Sequence, residues 1–290
     1  MPIVFVLIWS TGFVVASLGM PHAQPLSFLC LRYGLSALCF AAWVCASGAR
    51  WSRSREQVLH LAVAGLLIHA GYLGGVWCAV KAGLGAGTVA LIVGLQPVLT
   101  ALWVSSRGSE QRVQPLQWAG LALGLAGLLL VIWQKLQLDE ATPVATSLTG
   151  FALLSITVGT LYQKRWVQPC DFRTAGTVQL LASFAVTLPL ALVLEPWQWD
   201  PHPELFIALA WSVLVLTLGG SSLLYLLIQR GAATSVTSLM YLVPPCTAVM
   251  AWAMFDEIPT STVFAGMALT TLGVALVVRA PSAPGASGRV

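Results

Sequence analysis

Charge is scarce in this chain. Lysine, arginine, aspartate and glutamate together make up 8% of its 290 residues, against 58% hydrophobic residues. Soluble domains carry about 25% charged residues, and a chain this apolar has too little polar surface to stay dispersed. A soluble globular protein is excluded, and the natural solvent is a bilayer. Carboxylates are missing from the core of every apolar run: Glu56, Glu110, Asp139, Glu140, Asp171, Glu195, Asp200, Glu204, Asp256 and Glu257 all fall between runs or at a run's end. That weakens any intramembrane Asp/Glu proton relay and removes an aspartate-pair protease. No H-E-x-x-H, G-x-S-x-G or P-loop pattern occurs, which argues against an intramembrane enzyme and against direct ATP coupling. The six cysteines lack any Cys-x-x-Cys spacing and read as small apolar packing residues, so no metal or other cofactor is expected. A basic N-terminal region and a small-residue cleavage site are also lacking. The first segment is therefore expected to be a retained helix rather than a signal peptide.

What is present is length without polarity. A membrane-spanning helix needs about 20 apolar residues, and ten such runs are predicted over 2–20, 26–47, 57–80, 86–106, 115–133, 147–165, 174–194, 204–228, 232–254 and 259–279. The tail 280–290 is rich in Pro, Ala, Gly and Ser and is expected to be disordered and cytoplasmic. With the N-terminus inside, the inner ends collect Arg50, Arg53, Arg55, Arg107, Arg112, Lys164, Arg165, Arg173, Arg230, Arg279 and Arg289. The outer ends hold only Lys81 and Lys135. This Lys/Arg bias predicts that both termini are cytoplasmic. It also accounts for the net charge of +4 by membrane side, so nucleic acid is not an expected partner.

The chain repeats itself. Ala119-Gly120-Leu121-Ala122-Leu123 with Gly127 matches Ala265-Gly266-Met267-Ala268-Leu269 with Gly273. Upstream, an offset of 147 places Pro97 on Pro244, Thr100-Ala101 on Thr247-Ala248, Gly12 on Gly159 and Arg32 on Gln179. Five helices per copy is an odd number, so the second copy enters the membrane from the opposite side. The expected fold is an all-α polytopic membrane protein, ten transmembrane helices as two inverted five-helix repeats, residues 2–133 and 149–279. Inverted repeats suit alternating access around a site at the midplane.

A few residues break the apolar pattern. Pro97 and Pro244 are expected near the midpoints of helices 4 and 9, where proline withholds an N–H from the carbonyl four residues earlier. Such a carbonyl must face protein or a water-filled cavity, not lipid. The alternative is a simple packing kink. Gln96 and Tyr241 add polarity beside them. Arg32 lies roughly 9 Å into helix 2 at 1.5 Å per residue; it either anchors a substrate carboxylate or phosphate, or is a structural arginine bonded to carbonyls at a helix end. His69, central in helix 3, either carries a coupling proton or is a packed, hydrogen-bonded histidine. Trp9 sits at midplane, away from the interfacial belts where tryptophan is enriched. Thr11 and Tyr162 belong to polar stretches of helices 1 and 6 that otherwise serve close helix packing. Trp77, Gln179 and Tyr225 complete the candidate cavity.

These residues resemble the drug/metabolite transporter superfamily, in its EamA-type family of ten-helix proteins. The resemblance covers 2–133 and 149–279. It rests on Trp9-Ser-Thr-Gly-Phe, Pro25 followed by Leu31-Arg32-Tyr33, Leu95-Gln96-Pro97, Gly159-Thr160-Leu161-Tyr162 and the two Ala-Gly-x-Ala-Leu-x-x-x-Gly endings. Family members often carry Trp shortly before the helix 6 glycine, where this chain has Ser155-Ile156. The resemblance implies a secondary transporter, exporting a small metabolite such as an amino acid across a bacterial inner membrane, as a monomer or homodimer. A channel or a non-transporting scaffold is the competing reading. A channel needs a ring of identical elements or a continuous polar path, which the repeat does not provide.

Overall fold

The computed structural model describes residues 2–51, 54–106, 115–137, 142–196, 198–223, 242–255 and 260–279. They form ten helical rods. These are α1 (Pro2–Gly19), α2 (Pro25–Ser47), α3 (Arg55–Lys81), α4 in two pieces (Ala86–Val93 and Gln96–Ser106), α5 (Pro115–Gln137), α6 (Pro143–Trp166), α7 (Phe172–Leu194), α8 (Pro203–Leu223), α9 (Val243–Phe255) and α10 (Ser261–Arg279). Five of them, α2, α3, α6, α7 and α8, are long and apolar enough to span a bilayer by themselves over described residues. Tyr225, Tyr241 and the 280–290 tail lie outside the described residues.

Local chemistry sets the helix starts. Proline opens α2, α6 and α8, where its missing N–H costs nothing. Side chains of Ser54, Thr142 and Asp171 accept the first free N–H groups of α3, α6 and α7. At the end of α2, Gly48 takes the left-handed conformation (φ 62°) that a side chain would resist.

The packing is two-fold. α2 lies on α7, α4 on α9, and α5 on α10. The remaining principal contacts between halves come in pairs: α1 on α8 with α6 on α3, α1 on α9 with α6 on α4, and α2 on α8 with α7 on α3. Exchanging each helix for the one five places on maps this set onto itself. The partners run antiparallel, because neighbours descend along one helix as they ascend the other. Gly34 faces Phe184 while Gly176 faces Phe40, and Gly87 faces Ala248 while Gly94 faces Pro244. An antiparallel self-pair is what an axis in the membrane plane requires.

The repeated glycine motif makes the tightest of these crossings. A Cβ on Gly127 would lie 2.5 Å from the Gly266 carbonyl oxygen, and a Cβ on Gly273 would strike the backbone of Gly120 and Gly124. Each motif glycine thus meets a motif glycine of the other half. Such small residues let helix backbones approach closely where no hydrophobic force between helices is available.

Ten crossings return the chain to its starting side. That terminal side is tied across the halves by Gln57, whose amide exchanges hydrogen bonds with the Gln168 backbone (3.0 and 3.1 Å). On the far side, the Glu195 carboxylate accepts from the Leu26 and Ser27 N–H groups (2.8 Å each) and from the Ser27 hydroxyl (2.9 Å).

Candidate functional site

Two rods widen into π-helix: Leu66–Gly71 in α3 and Trp211–Gly220 in α8. The 147-residue offset carries 66–71 onto 213–218, inside the second segment, so the irregularity is part of the repeat. π turns leave carbonyls without their usual partners and recur at functional sites. Here side chains take up those carbonyls. The Ser183 hydroxyl donates to the Gly65 carbonyl at 3.0 Å and the Tyr33 hydroxyl to that of His69 at 2.8 Å, while in α8 the Thr217 hydroxyl donates to Ser212 at 2.7 Å. Gly65 also lets α7 come close, since a Cβ there would be 2.5 Å from the Gln179 backbone.

Pro97 does not stand inside a continuous helix. α4 breaks at Gly94-Leu95 and restarts at Gln96, so Pro97 stands in the first turn of its second piece. Pro244 likewise stands in the first turn of Val243–Phe255. Proline is tolerated where an N–H would be free anyway, and the second piece of α4 begins on Gln96-Pro97. Pro244 is buried, Pro97 is half-buried, and the Pro244 ring packs against Gly94 at the α4 break. Gln96 reaches across to α6, donating from Nε2 to Thr160 Oγ1 at 3.2 Å.

α1 is bound to both α8 and α9 of the second half. Thr11 Oγ1 accepts from Trp211 Nε1 at 2.9 Å, and the Thr247 hydroxyl donates to the Ser10 carbonyl at 3.2 Å. Trp9 is half-buried, its ring 5.3 Å from Phe5 and its edge beside Gly220.

Among the described residues Arg32 bonds to a side-chain hydroxyl and to no carbonyl. It is 7% exposed, turned into the bundle, with Nε and one terminal nitrogen each 3.4 Å from Thr217 Oγ1. Its guanidinium lies over the Trp77 ring, 5.9 Å from the centroid, and that ring stacks on Phe28 at 4.4 Å. The repeat mate, Gln179, occupies the same relation to the other π segment. It sits beside His69 and donates to Gln163 Oε1 at 3.2 Å. The polar candidates therefore group as Arg32–Trp77–Thr217 toward the far side, His69–Gln179–Gln163 toward the terminal side, and Trp9, Thr11, Gln96 and the prolines along α1, α4, α6, α8 and α9. Tyr162 stands apart. Four residues from the terminal-side end of α6, its hydroxyl is 2.7 Å from Nδ1 of His60, whose ring stacks on Trp166. Sequence reasoning missed Thr217, Trp211, Thr160 as the Gln96 partner and both π segments. Nothing in composition marks a π turn, although the repeat offset relates the two once one is seen.

On the far side, His22 joins the α1–α2 turn to the α7–α8 connection, with Nδ1 2.8 Å from Asp200 and Nε2 3.1 Å from Glu204. The hydrogen bond to Asp200, and then that to Glu204, hold the His22 pKa above its ordinary value. His22, His202 and Glu204 are also the one trio among the described residues whose donor atoms could meet at a metal. Both His22 nitrogens already face carboxylates, and the two imidazoles stack face to face at 4.3 Å, so their in-plane lone pairs do not converge. The group reads as a hydrogen-bonded latch.

Against known proteins, the profile of the EamA-like transporter family matches residues 1–133 and again 146–279. The chain belongs to this family. It is accordingly a membrane transporter rather than an enzyme, built for a small-molecule substrate. A "Probable amino-acid metabolite efflux pump" of Salmonella typhimurium is 26% identical over 278 residues, covering 93% of this chain and 90% of that protein. The Escherichia coli K12 protein of the same description is 25% identical over 281 residues, with the same coverage. An "Uncharacterized inner membrane transporter YedA" from Escherichia coli K12 is 23% identical over 273 residues, covering 93% of this chain and 87% of that one. A solved structure titled only "Crystal structure of protein" superposes with a TM-score of 0.66 at 18% identity, over 95% of each chain; it supports the fold alone.

Proposed function

We propose that this EamA-family protein exports a small amphipathic metabolite, an amino acid or a related compound, from the cytoplasm across the inner membrane by alternating access. One observation carries the reading. Helix irregularities occur at repeat-matched places: π segments in α3 and α8, and prolines in the first turns of the second piece of α4 and of Val243–Phe255. They lie on helices that pack against the opposite half. Irregular helices at the interface of inverted repeats mark a midplane site around which one half can rock against the other. The proposed cavity takes Trp9, Thr11, Gln96, Pro97 and Pro244 from the centre, with Arg32 and Trp77 toward the far side and His69 and Gln179 toward the terminal side. Tyr162 would serve at the inner mouth, and Tyr225 and Tyr241 remain candidates from sequence. An aromatic wall with a few polar groups suits a small amphipathic solute. Export, and amino acids as the class, follow the descriptions of the Salmonella and Escherichia relatives. Both termini are placed in the cytoplasm by the Lys/Arg bias. The test is expression in a host stripped of its own exporters, with amino acids and their derivatives profiled in cells and medium. A solute accumulating outside only when the intact chain is present is the expected result. An unchanged medium, together with no counterflow of amino acids in proteoliposomes, would refute export.

A further inference from the structure

We propose that Arg32 is the anchor of an anion subsite and that the solute it holds is a carboxylate with an apolar or aromatic body. This rests on the transport reading for its biological use, though not for its chemistry. The argument starts from an imbalance. A guanidinium has five N–H donors and no acceptor. Arg32 directs two of its nitrogens at one hydroxyl, both at a long 3.4 Å, and that hydroxyl already gives its own hydrogen to Ser212. Among the described residues no carboxylate pairs with it. A buried charge at membrane depth is normally paired, or faces a water-filled path.

Two further observations bear on the same three helices. Three buried side-chain polar atoms among the described residues have no hydrogen-bond partner: Ser36 Oγ, Trp77 Nε1 and Ser212 Oγ. They lie on α2, α3 and α8, the three helices that enclose the guanidinium, and Trp77 is the ring beneath it. Second, the charge is unilateral. Gln179, at the equivalent position of α7, packs on the equivalent π segment with only Gln163 and His69 as its side-chain partners among the described residues. A glutamine therefore suffices to seat this helix on a π turn, and the charge at Arg32 goes beyond what packing needs. A carboxylate supplies what is missing. It neutralises the charge, accepts two parallel N–H bonds from the planar fork, and leaves its apolar body against Trp77. The same α8 segment touches Trp9 at Gly220 and Thr11 through Trp211, which joins this subsite to the proposed central cavity.

The experiment reads binding apart from transport. Purified full-length protein in detergent is titrated with benzoate, phenylacetate and L-phenylalanine, and with the neutral benzamide, phenylacetamide and L-phenylalaninamide, following thermal stabilisation. Carboxylates are expected to stabilise the protein and the amides not. Arg32→Gln, which copies the residue at the matching position of the second repeat, is expected to weaken carboxylate binding about ten-fold or more. Arg32→Lys, which keeps charge but loses the fork, should fall between and serves if the glutamine variant does not elute as a single species. Amides binding as well as carboxylates, or carboxylates binding Arg32→Gln as tightly as the parent, would overturn the proposal. A third arm adds phosphatidylglycerol. Stabilisation by this lipid alone, lost in Arg32→Gln, would assign the site to a lipid phosphate and overturn it too. If carboxylates bind but nothing is exported, the subsite stands and the export reading falls.

Discussion

Replacing Gly127 by alanine isolates the physical content of the repeated glycine motif. Its added Cβ would sit 2.5 Å from the Gly266 carbonyl oxygen, 2.6 Å from Thr270 Oγ1 and 2.8 Å from the Thr270 nitrogen. Two of these three atoms are backbone, which cannot rotate away, so α5 and α10 must separate by about 1 Å to restore van der Waals distance. Overpacking of this kind costs about 1–3 kcal/mol. Alanine's better helix propensity offsets up to about 1 kcal/mol of that, leaving a net loss on the order of 1–2 kcal/mol. Gly124, on the same helix, is the internal control: a Cβ there meets only the end of the Leu95 side chain, at 3.3 Å. Gly74 is a second control, with nothing within 4 Å, and Gly74→Ala is expected to stabilise by about 0.5–1 kcal/mol. The assay is thermal unfolding of the purified variants in one detergent, read by loss of the monodisperse elution peak. The expected order of midpoints is Gly74→Ala highest, Gly124→Ala near the parent, and Gly127→Ala lowest. Gly127→Ala matching Gly124→Ala would show that α5 and α10 are not held by backbone proximity, and the motif would lose its explanation.

Cysteine labelling tests the orientation. With native cysteines replaced, a cysteine at 200 should react with an impermeant maleimide in intact cells and one at 50 should not; the reverse pattern inverts the topology. The central cavity is tested by Gln96→Ala and Trp9→Ala, each expected to reduce transport about ten-fold, against Leu125→Ala and Leu129→Ala on exposed positions of α5, which should leave it unchanged. The His22 latch carries a pH signature. Its pKa is raised from the ordinary 6.5 by Asp200 and then Glu204, with His202 the other titratable neighbour. The stabilisation from His22 is therefore complete below about pH 6.5 and is lost as pH rises through the raised value. The gap in melting temperature between parent and His22→Gln should be widest at pH 6 and close by pH 9; a gap that grows with pH would reverse the assignment.

The solvent, the number of helices and the inverted repeat are all legible in one dimension, because bilayer thickness and backbone hydrogen bonding allow few alternatives to ten apolar helices. Offsets between Pro97 and Pro244 or Gly127 and Gly273 can be read directly along the chain, and an odd helix count per copy forces inversion. Arg32 and Gln179 stand out because polar side chains are rare at that depth. What each one faces depends on how the helices pack. Whether Arg32 snorkels or turns inward follows from α8 lying beside α2. The π turn in α3 sits where Tyr33 of α2 and Ser183 of α7 satisfy its displaced carbonyls, a condition no local pattern encodes, while in α8 the segment's own Thr217 does so. Tyr162 shows the same limit from the other direction: its helix position is legible, but its partner His60 lies 102 residues away, and that contact draws it to the terminal side. Likewise, Pro97 is legible as a helix disruptor, yet whether a proline bends a helix or begins one depends on how the preceding residues pack, and here Gly94 yields to the Pro244 ring from the other half.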